Sequence, residues 1–146
     1  MAWSVEFHED FEKEFNGFSV GIQDELLANA LILEEFGPQL GRPHVDTLNG
    51  SRHANMKELR FNVEREAWRV LFAFDVERKA ILLAGGDKKG KDEARFYKRL
   101  IKIADSRFDQ HIKSQSLKEK NHGNSTSKSP ERTAEKKAGK NKNKGR

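Results

Sequence analysis

The sequence predicts an α+β domain over residues 1–112. A short N-terminal strand and a helical hairpin pack on a small, mainly antiparallel sheet, and a C-terminal helix completes it. Three observations carry this. On either side of Glu64-Arg65, Leu59, Phe61 and Val63 and then Val70, Phe72 and Phe74 recur at every second position, the period of strands joined by a turn. Between residues 7 and 33, apolar residues recur at helical spacing in two runs divided by Asn16-Gly17. Residues 80–84 (AILLA) form an unbroken apolar run, followed by a third helical stripe from Tyr97 to Ile112.

Taken in order, Trp3, Val5 and Phe7 alternate inward and predict a strand at the start. Phe7, Phe11, Phe15 and Phe18 predict a first helix, with Glu9, Asp10, Glu12 and Glu14 on its other side. Ser19 is placed to cap a second helix whose stripe is Ile22, Leu26, Ala30 and Leu33, and Gly37-Pro38 ends it. Residues 39–55 read as a polar connector without a sustained period, anchored by Val45 and Leu48. Then comes the hairpin. Burying its aromatic and aliphatic sets on one face requires a tight turn at Glu64-Arg65, which sets Val63 opposite Glu66 and Arg60 opposite Arg69. Residues 85–91 (GGDKKGK) read as a turn after the last strand, and Asp92 caps the final helix.

Facing arginines repel, so two readings of Arg60 and Arg69 stand side by side. A phosphate sits between them, or each is solvated or paired with Glu58 and other carboxylates. The connector carries Arg42, His44, Arg52 and His53, and loop histidines are most often solvated. The lysine-bearing turn is either a phosphate cradle or a plain exposed turn, and its spacing is not that of a P-loop.

Composition narrows the class. Ten Phe and two Trp in 146 residues suffice for one core, and the absence of Cys removes disulfides and thiolate metal sites. No segment reads as a membrane span, so a soluble cytoplasmic protein is expected. Residues 1–51 carry 2 Lys and Arg against 10 Asp and Glu, residues 52–112 carry 15 against 10, and residues 113–146 carry 11 against 3. The basic second half suits a polyanion. Residues 113–146, without periodicity or aromatics, read as a disordered basic tail.

With these elements in this order, and with GRPHVDTLNGSRHANMKELRF, WRVLFAFD and ILLAGGDKKGKDEARFYKRLI, the chain resembles the RelE/ParE/HigB superfamily of toxin–antitoxin toxins over residues 3–112. Its phage-derived HigB-like branch is the nearest look. The resemblance implies a RelE-like fold and an mRNA endonuclease acting on the ribosome. It needs no metal or other cofactor, touches no membrane, and is silenced by a cognate antitoxin, expected to be of helix-turn-helix type. In such enzymes the RNA 2′-hydroxyl attacks the adjacent phosphate, and the protein supplies proton transfer and charge stabilisation.

By the same resemblance, Arg60 and Arg69 hold the scissile phosphate. Lys57 binds RNA, although its parity is opposite to that of Arg60 and a twist or bulge is needed for the two to converge. Asp87, Lys88 and Lys89 lie at the end of the last strand, where such toxins keep a terminal catalytic or RNA-binding group. Tyr97 is a general acid, a stacking platform or a core residue, and His53 serves as general base if the loop carries it in. The superfamily also admits a ParE-like gyrase inhibitor without catalysis and a non-toxic RNA-binding descendant.

Overall fold

The first strand is fixed by a partner far along the chain. The computed structural model describes the backbone of residues 3–124 and the side chains of residues 3–118. In it Ser4–Phe7 form β1, which lies parallel to β5, Lys79–Asp87, with Phe7 beside Leu82. Phe7 therefore closes a strand, and the first helix, α1, is shorter than its phenylalanine spacing suggests, running Glu9–Asn16. His8 caps α1: its Nδ1 accepts a hydrogen bond from the Asp10 N–H at 3.0 Å. The four phenylalanine rings still cluster, with centroids 4.9 to 6.1 Å apart.

Helix α2, Val20–Phe36, begins at Ser19, whose Oγ accepts from the Ile22 N–H at 3.4 Å. Gly37 ends it with φ of 59°, and an added Cβ would lie 2.5 Å from the Trp3 ring. Only glycine meets both demands. Within the connector a strand emerges that periodicity does not reveal, β2 at Val45–Thr47, which pairs antiparallel with β3. Three residues are too few to show alternation. Val45 is buried and Leu48 packs beneath α3, so both anchor the connector.

Strands β3, Met56–Val63, and β4, Glu66–Phe74, form the hairpin in the expected register, Val63 facing Glu66 and Arg60 facing Arg69. Glu64 takes the left-handed conformation the tight turn needs, with φ of 52°. The sheet order is β1-β5-β4-β3-β2, antiparallel except for β1 and β5. Both faces are covered. Phe11, Ile22, Leu26 and Leu33 of α1 and α2 pack on Leu59, Phe61, Val70 and Phe72, while Phe96, Leu100, Ile101, Ala104 and Phe108 of α3 pack on Met56, Leu71, Ala73 and Ile81. Burial on both sides explains why β4 and β5 are apolar almost throughout.

Two expectations about boundaries are corrected. The last strand continues through Gly85, Gly86 and Asp87, so the turn after it is shorter. The glycines are there for packing: a Cβ on Gly85 would meet Phe11 Cε1 at 3.3 Å on one face, and one on Gly86 would meet Phe96 Cε1 at 3.3 Å on the other. Helix α3 spans Glu93–Asn124, so residues 113–124, expected as the start of a disordered tail, are helical. Extending an existing helix adds one hydrogen bond per residue with no nucleation cost, and Lys, Gln, Glu and Leu suit it. The rest of the expected tail lies outside the described residues. No helix among the described residues is long and apolar enough to cross a membrane.

Candidate active site

β2 pairs only with residues 57–59 of β3, so β3 runs on past it and a cleft of about 390 Å³ opens beside α2. Arg60 and Arg69 line this cleft, together with Arg42, His44, Asn29 and Glu25. Alternation along two regular strands puts Glu58, Arg60 and Arg69 on the face that α3 covers. Glu58, two residues before Arg60, is 4% exposed and lies between the arginines. Arg60 Nη1 donates to Glu58 Oε2 at 3.0 Å. Arg69 Nη1 donates to the Trp68 carbonyl at 2.8 Å, while its Nε stops 4.0 Å from Glu58 Oε1. That Nε is buried and has no hydrogen-bond partner, the sole such side-chain atom among the described residues. The expected gap between the arginines is thus partly filled by a carboxylate of the protein itself.

From α3, Tyr97 reaches into the same group and its hydroxyl donates to Glu58 Oε1 at 2.6 Å. Burial, then the hydrogen bond to Glu58 and that carboxylate's charge, push the phenol up to about 12, with Arg69 opposing. The ring packs with the core beneath α3, so it offers no stacking platform. Its hydroxyl orients Glu58. At the outer rim, Arg42 Nη2 lies 2.6 Å from Asp46 Oδ2, and Arg60 lies 3.9 Å from the same oxygen. Arg42 first, then the Thr47 N–H, hold the Asp46 carboxyl below its ordinary range.

His53 is not brought into the cleft. Its Nε2 lies 2.8 Å from Asp109 Oδ1, and its ring stands edge-on to Phe108 at 5.0 Å. Ser51 Oγ donates to Asp105 Oδ1 at 2.6 Å, so this end of the connector is tied to α3. Lys57 stays on the opposite face from Arg60, because the β3–β4 register runs without the bulge that convergence requires. Asp87 is spent on structure, its Oδ1 accepting from the Ala67 and Lys89 N–H groups at 2.9 and 3.0 Å. Lys88, 3.6 Å from Glu93, and Lys89 line a second cleft with Arg65, of about 490 Å³, and Asn62 lines both clefts.

Two residues named in the sequence only as a counter-charge and a loop histidine, Glu58 and His44, belong with the arginines in the structure. Glu58 had a signal, its i, i+2 spacing from Arg60, which puts both on one strand face. His44 had none, because its place depends on β2.

The family description "Phage derived protein Gp49-like (DUF891)" matches residues 13–109. A protein of Mycobacterium tuberculosis (strain ATCC 25618 / H37Rv) named "Putative toxin HigB2" is 42% identical over 113 residues, which cover 77% of this chain. The chain spans just 55% of that relative's length. "Putative toxin HigB3" of the same organism is 50% identical over 84 residues, covering 58% of this chain and 71% of the relative. A solved structure of an E. coli RelE toxin mutant in the free state aligns with a TM-score of 0.49 at 14% identity, covering 68% of this chain and 97% of that one. The family match takes in Glu58, Arg60, Arg69 and Tyr97, and the chain belongs to the phage-derived Gp49-like family, with relatives named as HigB toxins.

Proposed function

We propose that this toxin is an endoribonuclease that cuts messenger RNA on the ribosome, with the RNA 2′-hydroxyl as nucleophile and guanidiniums, not a metal, holding the phosphate. The observation that carries this reading is Arg69. A buried guanidinium that faces a second one and keeps an Nε without an acceptor suits an anion that enters and accepts from both. Phosphate oxygens match that fork.

In this reading Glu58 takes the proton of the attacking 2′-hydroxyl while Arg60 and Arg69 stabilise charge growing on the phosphate. Tyr97 keeps the Glu58 carboxylate aimed through its 2.6 Å hydrogen bond. Lys88, Lys89 and Arg65, in the cleft joined through Asn62, are suited to flanking backbone phosphates. A cognate antitoxin, of helix-turn-helix type and encoded beside the toxin, is the expected protein partner.

Induced expression tests the reading. Growth should stop and transcripts should be cut within translated regions, both suppressed by Arg69→Gln. Intact transcripts during arrest, with purified protein blocking DNA supercoiling, would instead favour a gyrase inhibitor.

A further inference from the structure

The cleft holds a second group able to move a proton, and its orientation is built into the fold. Asn29, on the buried side of α2, donates its Nδ2 to the Glu25 carbonyl at 2.8 Å. That leaves the amide oxygen to meet His44 Nδ1 at 3.3 Å. An amide oxygen only accepts, so Nδ1 carries a hydrogen and Nε2 is left to exchange a proton. The His44 carbonyl accepts the Arg60 N–H at 2.8 Å, which sets the residue directly across from Arg60, itself directly across from Arg69. The charged groups around the imidazole in this cleft are Glu25 from α2, Arg42 from its own loop, Arg60 from β3 and Arg69 from β4.

We propose that His44 is the proton donor to the leaving 5′-oxygen. The proposal rests on the ribonuclease reading above and adds to it the acid that reading lacks. Glu58 lies two residues along β3 from Arg60, and the His44 carbonyl accepts the Arg60 N–H from the neighbouring segment, so base and acid approach a phosphate on the arginines from different directions. In-line displacement requires that separation. The O2′–P bond forms as the P–O5′ bond breaks. Glu58 receives the 2′-hydroxyl proton, the His44 imidazolium gives its Nε2 proton to the 5′-oxygen, and the products are a 2′,3′-cyclic phosphate and a 5′-hydroxyl.

The test compares two synthetic mRNAs on programmed ribosomes, one with an ordinary 5′-oxygen at the cleavage site and one with sulfur bridging there. A thiolate leaves without protonation. His44→Ala should cut the ordinary RNA about 10²- to 10⁴-fold more slowly than wild type, the usual worth of a general acid, yet cut the sulfur-bridged RNA close to the wild-type rate. Equal wild-type and variant rates on ordinary RNA overturn the proposal and leave the ribonuclease reading standing. An equal loss on both RNAs marks a structural role and also overturns it. Wild-type protein that cuts neither RNA overturns both readings. Should His44→Ala prove unstable, His44→Gln, which keeps a polar side chain, is held to the same outcomes.

Discussion

Arg60 and Arg69 share one carboxylate unequally: Arg60 is hydrogen-bonded to Glu58 at 3.0 Å, while Arg69 halts at 4.0 Å with its Nε unbonded. Like charges facing each other across a strand pair are unfavourable, and a buried donor without an acceptor adds to the cost. The arrangement is poor for stability and good for receiving an anion.

Arg69 and Glu58 should therefore respond oppositely to removal. Arg69→Met deletes an unsatisfied buried donor while Glu58 keeps Arg60 and Tyr97. Its stability should stay within about 1 kcal/mol of wild type or rise, and its activity should vanish. Glu58→Met leaves two guanidiniums face to face and should cost about 3–5 kcal/mol. Urea unfolding measures both, and a large loss in Arg69→Met with none in Glu58→Met would reverse the assignment.

Tyr97 is the sole tyrosine of the chain, so its ionisation can be followed by ultraviolet absorbance without interference from another phenol. The midpoint should lie near 12 and move down in Glu58→Gln, since burial is the larger cause and the carboxylate the next. A raised phenol favours the fold while protonated. Its contribution is complete below pH 10 and fades as pH rises through about 12. A midpoint at 10 in the native protein would contradict the contact with Glu58.

His8 works in the other direction. Burial, the largest influence, lowers it from 6.5 against the raising effect of the Gln110 hydrogen bond. Its Nδ1 must stay unprotonated to cap α1, and its Nε2 lies 2.9 Å from Gln110 Oε1. The stabilisation is complete above pH 6.5 and is lost as pH falls below it. His8→Asn, which keeps a capping oxygen, should flatten the decline of melting temperature between pH 7.5 and 5.5. An unchanged decline would place its origin elsewhere.

Gly37→Ala should destabilise by about 1–3 kcal/mol, since a methyl there meets the Trp3 ring and the positive φ strains any other residue. Gly41→Ala, with nothing within 4 Å of an added Cβ, is the control and should be nearly neutral. Equal stability of the two variants in urea would contradict this packing.

The hairpin was legible because parity is strict. Once Leu59, Phe61, Val70 and Phe72 must share a face, the turn at Glu64-Arg65 and the meeting of Arg60 with Arg69 follow. The sequence left two occupants open for the space between them, a phosphate or Glu58, and the choice was not legible. Parity puts Glu58 on the same face as the arginines, but its burial under Tyr97 depends on α3, through a contact 39 residues away in sequence. The places of His44 and His53 were hidden for a similar reason. A three-residue strand carries one to Arg60, and Asp109 of α3 draws the other away. Lys57 shows the reverse: its parity already argued against convergence, and no bulge intervenes.

Single-turnover cleavage of an mRNA on programmed ribosomes, with the ends of the products identified, bears most directly on the Arg60–Glu58–Arg69 site. The account predicts a 2′,3′-cyclic phosphate and a 5′-hydroxyl from wild-type protein, with Glu58→Gln slower by about 10²-fold or more. Products bearing a 5′-phosphate, or a Glu58→Gln rate equal to wild type, would contradict it.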